Sequence, residues 1–204
     1  MNANDYDYGV RVRTLAKGHQ AVRYLQTSTG RLYWATPASY IFTIDEIAHC
    51  LARICRFNGH MGWESVARHS LNVAARVAHM SPAVQLGALL HDAHEAYVGD
   101  VAGPLLRAGL APGLVVLGHR IQHEIHKQLA PELLGLTLAD HAAIHEADSA
   151  DCARTLSSGA EWRREDAFTG DVAAEFVATY HRLVVTARVL PSPDGGAQKT
   201  GAND

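Results

Sequence analysis

The sequence is poor in cysteine, with Cys50, Cys55 and Cys152 the three in 204 residues. They are odd in number and form no CxxC pair, so they read as reduced thiols of a cytoplasmic protein. Net charge is also scarce. Eighteen Lys and Arg against 21 Asp and Glu leave −3, which gives no electrostatic case for broad or stable nucleic-acid binding. A small anionic substrate would need a local positive site. No uninterrupted apolar run approaches the roughly 20 residues of a membrane-spanning helix. The start, Met1-Asn2-Ala3-Asn4-Asp5-Tyr6-Asp7, is polar and acidic, unlike a secretory signal. Internal repeats and linker-like stretches are missing too, so the length fits one domain with appendages.

What is present is a core's worth of apolar residues, 48%, and 13 histidines. Residues 1–18 show no clear period. Residues 20–35 predict a β-hairpin, two β-prone runs about the turn Thr27-Ser28-Thr29-Gly30, ended by Pro37. From Thr43 on the pattern is helical. Thr43-Ile44-Asp45-Glu46 fits a capping box, and Ile44, Ile47, Leu51 and Ile54 mark a stripe running towards Arg56-Phe57. Asn58-Gly59 stops it. A second helix is predicted over 65–80. A third opens with Ser81 as N-cap and Pro82 at its first position, and continues through His91-Asp92. Gly103-Pro104 and Pro112-Gly113 predict breaks. Further helices are predicted over 114–129, 138–157 and 172–189. The Pro-, Gly- and polar-rich tail, 191–204, predicts disorder. The expected fold is all-α, a helical bundle over 19–190 with a small N-terminal β-hairpin.

Ligand-type residues fall on otherwise apolar helices: His69 on the second, His91-Asp92 on the third, Asp148 on the fifth. If the third helix continues, Glu95 lies one turn beyond His91 and shares its face, with Gly99 and Asp100 at the exit. Buried His, Asp and Glu need partners or a metal. Two imidazoles and two carboxylates suit a divalent first-row transition ion, with positions left for water or a phosphate oxygen. Asp151, one turn past Asp148, is a rival ligand. His119, His123 and His126, with His141 and His145, read as solvated faces rather than a second site. His60 reads equally as a phosphate contact or an ordinary polar loop residue, and Tyr97 as packing.

The ordered set His69, His91-Asp92, Asp148 resembles the H…HD…D signature of the HD-domain phosphohydrolase superfamily. The segments Ile47-Ala48-His49, residues 53–60, residues 65–70 and residues 91–104 resemble its branch of small 5′-deoxynucleotidases and phage dATP triphosphohydrolases. The likeness covers roughly residues 30–156. It implies that His69, His91, Asp92 and Asp148 bind one divalent ion (Co2+, Mn2+ or Zn2+). It makes Glu95 and Asp100 the catalytic carboxylates, with acid and base unassigned. Arg56 matches a phosphate-contacting arginine, Phe57 a nucleoside-contacting aromatic that is often tryptophan, and Pro104 a residue beside the sugar. Leu106 stands where many relatives have lysine, with Arg107 next as a possible replacement for that charge.

The implied reaction is hydrolysis of a deoxynucleotide at its 5′-phosphate ester, giving deoxynucleoside and phosphate. Cleavage of a dNTP to tripolyphosphate, or a non-catalytic nucleotide sensor, are the alternatives. A cytoplasmic homo-oligomer with no membrane association is expected.

Overall fold

The computed structural model describes residues 23–157 and 170–189. The expectations for 1–18, for 20–22 and for the 191–204 tail lie outside the described residues. The chain divides into two compact units, Met1–Tyr40 and Ile41–Asp204. In the first, β1 (Tyr24–Gln26) pairs antiparallel with β2 (Arg31–Tyr33), with Leu25 opposite Leu32. The turn is closed by its own side chains, as Thr27 Oγ1 accepts the Gly30 amide at 3.0 Å. Tyr24 and Tyr33 face each other across the strands, ring centroids 5.5 Å apart. Such aromatic pairs hold a short hairpin in register. Pro37, expected to end the hairpin, opens a 3-10 turn, Pro37–Ser39.

The second unit is helical: α1 (Ile44–Leu51), α2 (Val66–Arg76), α3 (Pro82–Leu90), α4 (Glu95–Val98), α5 (Gly103–Arg107), α6 (Pro112–Leu129), α7 (Leu138–Ser157) and α8 (Gly170–Val189). The expected caps are in place. The Thr43, Ser65 and Ser81 hydroxyls each accept an amide three residues on. The core is built by α8 against α1, α2 and α3, and by α7 against α2 and α3. Ile47, Val66, Leu86, Leu89, Leu90, Ile121 and Phe176 are fully enclosed. At Gly87 an added Cβ would come within 2.9 Å of Ile144, so a glycine there lets α3 lie close on α7. One turn further along both chains stand His91 and Asp148. No described helix is long and apolar enough to cross a membrane.

Several expected boundaries are corrected. The α1 helix stops at Leu51 instead of running to Arg56-Phe57. The Arg56 amide bonds the Glu64 carbonyl and the Val66 amide the Ile54 carbonyl, bridging Cys55 to Ser65 in extended geometry that a helix cannot adopt. The second helix ends at Arg76, not Met80. There Gln85 Nε2 takes up the Ala78 and Met80 carbonyls at 3.2 and 2.9 Å. The helical run is interrupted just before Gly103-Pro104 and Pro112-Gly113, which themselves open α5 and α6, since proline is tolerated in a first turn, where its missing N–H has no helical partner. Finally, α3 ends at Leu90, and His91 to His94 form turns leading to the separate helix α4.

Candidate metal centre

His69, His91 and Asp92 form a group able to hold a metal ion, with one donor atom from each within 4.8 Å of the others. His69 comes from the buried face of α2, and His91-Asp92 from the turn that ends α3. Asp148 of α7 joins them. Its Oδ1 is 3.1 Å from His69 Nε2 and 3.9 Å from His91 Nε2. Asp92 Oδ2 is 3.0 Å from His91 Nε2 and 3.8 Å from His69 Nε2. Bonds of about 2.1 Å to one ion impose separations of roughly 3.0–3.4 Å on neighbouring ligands, so the donors already sit near coordination spacing.

The imidazoles are set for that role. His91 Nδ1 lies 2.8 Å from the Ala88 carbonyl, which accepts its proton and turns Nε2 towards the site. His69 Nδ1 lies 2.9 Å from Asp151 Oδ2, a pairing that fixes the ring in the same way. Both Nε2 atoms are buried, and neither makes a hydrogen bond. Orphaned polar atoms of this kind are costly unless something binds them. The site opens towards its carboxylates: the His69 side chain is 0% exposed, that of Asp92 24% and that of Asp148 29%.

Asp151, the rival ligand, therefore lies behind His69 rather than in the donor set. It is completely buried and also accepts from Arg76 and Arg154. Burial works against its charge, but His69 and Arg154 outweigh it and hold the carboxyl well below the usual range. Burial likewise opposes charge on Asp92, and His91 prevails.

Glu95 opens α4 instead of sharing one helix face with His91, yet it remains beside the cluster. Burial, then the charges of Asp92 and Asp100, push its carboxyl up to about 10. Burial also raises Asp100, against the pull of Arg56. Asp100 Oδ2 accepts the Phe57 amide at 3.3 Å. Arg56 itself is buried. Its guanidinium donates to Glu64 at 3.3 Å and to Cys152 Sγ at 3.1 Å, and lies 4.8 Å from the Phe57 ring centroid. Glu64 also binds Arg154, Asn72 and Thr155. This network is what aims Arg56. Phe57 and Asn58 are left-handed, φ 54° and 52°, a strained state for an aromatic residue that the bridged loop maintains.

The remaining expected site residues are more peripheral. Pro104 and Arg107 are exposed on α5, and among the described residues no hydrogen bond or ion pair joins Arg107 to the cluster. Its guanidinium folds back over Gly103. Leu106 instead lines an apolar cavity of about 90 Å³ beside Glu95, with Val98, Val101, Leu114 and Val115. His119, His123, His141 and His145 are exposed, as expected. His126 is not on a solvated face: its Nε2 meets Gln122 Nε2 at 2.6 Å. Tyr97 packs edge-on against Phe42 and donates to Glu46 at 3.2 Å.

No family model matches the chain. It is 37% identical over 103 residues to an uncharacterized protein of Rhodobacter capsulatus, covering 47% of this chain and 52% of that one. It is 42% identical over 65 residues to the uncharacterized protein YfdR of Escherichia coli, covering 31% and 35%. The chain thus spans about half the length of the first of these relatives and about a third of the second.

Sequence reasoning missed Glu64, Gln122 and the orienting role of Asp151. Their polar types at positions facing apolar neighbours were the available signal, and it does not name a partner.

Proposed function

We propose that this chain is a metal-dependent phosphohydrolase of the HD-domain superfamily, cleaving the 5′-phosphate ester of deoxynucleotides. The observation that carries the reading is the pair of buried, unbonded Nε2 atoms facing Asp92 and Asp148, with Glu95 alongside, its carboxyl pushed up by burial and by the charges of Asp92 and Asp100. His69, His91, Asp92 and Asp148 would hold a divalent first-row ion, Mn2+, Co2+ or Zn2+. Such an ion supplies Lewis acidity towards a phosphate oxygen and lowers the pKa of water.

The chain's own residues do the rest. Arg56 offsets negative charge near the phosphate, since phosphoryl transfer depends on positioning and electrostatics. A water oxygen forms the new bond to phosphorus as the bond from phosphorus to the 5′-oxygen breaks. Glu95, whose carboxyl burial and the neighbouring carboxylates push up, gives a proton to the departing 5′-oxygen. Asp100 takes the proton of the attacking water. Phe57 contacts the nucleoside, Pro104 crowds the 2′ edge of the sugar, and Arg107 adds positive charge at the rim. The proposal includes a cytoplasmic homo-oligomer, its thiols reduced.

The test is a panel of dNMPs, dNTPs and ribonucleotides with Mn2+ or Co2+, and identification of the products. Deoxynucleoside and phosphate from dNMPs, with ribonucleotides turned over more slowly, is the expected result. Tripolyphosphate from dNTPs would move the substrate class to triphosphates. Nucleotide binding with no turnover under any metal would make the chain a sensor and overturn the enzymatic reading.

A further inference from the structure

In an unbroken α-helix the amide of His94 would donate to the carbonyl of Leu90, four residues back. Here a side chain from α6 stands between them. The His94 amide donates to Gln122 Oε1 at 3.0 Å, and Gln122 Nε2 donates to the Leu90 carbonyl at 2.7 Å. A carbonyl only accepts and an amide N–H only donates, so the orientation of the Gln122 amide is fixed. Insertion of a side chain into the helical ladder is a recognised cause of a helix break. It accounts for α3 ending at Leu90, with the Ala93 amide turning back to the Leu90 carbonyl at 3.0 Å.

Gln122 is itself held. Its Nε2 lies 2.6 Å from His126 Nε2, and its Oε1 lies 3.1 Å from His94 Nδ1. His126 must accept, hence stay neutral there. Burial, reinforced by the charges of His123, His141 and His94, pushes its imidazole down to about 4. Gly118, one turn before Gln122, lets the His94 ring seat against α6; a Cβ there would lie 2.8 Å from that ring.

The opened segment contains His91 and Asp92. Consecutive side chains of a regular helix point about 100° apart, whereas His91 Nε2 and Asp92 Oδ2 converge to 3.0 Å. We propose that Gln122 is a positioning residue of the metal site: its amide, wedged between the Leu90 carbonyl and the His94 amide, holds the helix open so that His91 and Asp92 present their donor atoms to one point. This rests on the metal reading of His69, His91, Asp92 and Asp148.

The experiment compares the parent chain with Gln122→Met, which keeps the volume and loses every hydrogen bond of the amide. Three properties are read: Co2+ affinity, the visible absorption band of the Co2+ protein, and hydrogen exchange of the His94 amide without metal. Gln122→Met should remain folded, bind Co2+ 10- to 100-fold more weakly, the usual effect of losing an outer partner of a metal ligand, show an altered band, and exchange the His94 amide faster. Parental affinity and band would overturn the proposal while leaving the metal site intact. A parent that binds no Co2+ would overturn the metal reading, and this proposal with it. If Gln122→Met unfolds, Gln122→Asn draws the same amide back by one methylene. Weakened Co2+ binding in that folded variant supports the wedge, and unchanged binding refutes it.

Discussion

Two histidine clusters lie on either side of the turn that follows α3, and they are opposites. On one side His69 and His91 face Asp92 and Asp148, with their Nε2 atoms unbonded. On the other, His94 and His126 are joined through the neutral amide of Gln122. Burial opposes a proton on His91, His94 and His126, and for His91 and His126 the neighbours set the two outcomes apart. Burial disfavours charge on His91, but Asp92 and Asp148 outweigh it and raise the imidazole to about 9. Burial and other histidines take His126 down to about 4. The lesson is that a buried histidine takes its role from what surrounds it. Carboxylates make a site that attracts a cation, and an amide makes a neutral strut.

The largest effects should come from separating chemistry from metal binding. Glu95→Ala and Asp100→Asn are expected to keep the metal and bind nucleotide while losing about a hundredfold or more in kcat. Metal content, nucleotide affinity and kcat are measured on the same preparations, and normal turnover would remove both residues from the proton-transfer roles. Next comes Asp151→Asn, which weakens the acceptor behind His69. Metal affinity should fall about 10- to 100-fold, read by competition with a chelator; an unchanged affinity would make Asp151 a purely structural ion-pair partner. Arg56→Ala should raise KM for every phosphate substrate, whereas Phe57→Ala should act mainly through the nucleoside. Equal losses for nucleotides and for a simple phosphate ester in both variants would contradict that division.

The smallest effect concerns the neutral cluster. In the unfolded chain His126 takes a proton near its ordinary 6.5, but in the folded chain not until about 4. The unfolded state therefore binds more protons across that window, and this histidine makes stability fall as pH falls through it. A positive charge on His123, His141 or His94 would depress it further. In His126→Asn this contribution is absent. The stability advantage of the parent should shrink by on the order of 2 kcal/mol between pH 7 and pH 4.5, followed by urea unfolding. A gap that stays constant would mean that His126 titrates normally.

Much of this was legible in sequence because it is local. Thr43, Ser81-Pro82 and the 138–157 helix follow from capping and periodicity, and Asp148 lies at a position that its own helix determines. What was not legible depends on partners far along the chain. The break at Leu90 is made by Gln122, 28 residues beyond His94, and helical periodicity alone carries the helix straight on. The early end of α1 is made by the pairing of Cys55 with Ser65. Asp151 reads as a rival to Asp148 from its spacing, and only the placement of α2 against α7 turns it to the outer nitrogen of His69. The fold was therefore read more fully than the site, whose residue types were apparent but whose supports were not.

The central claim is that the carboxylate-faced cluster, and not the amide-linked one, holds a metal ion. Elemental analysis of purified parent, Asp92→Ala, Asp148→Ala and His126→Asn, each stripped and reloaded with Mn2+ or Co2+, tests it directly. The account predicts one ion per chain in the parent and in His126→Asn, and none in the two aspartate variants. Metal retained by both aspartate variants, or lost only from His126→Asn, would contradict it.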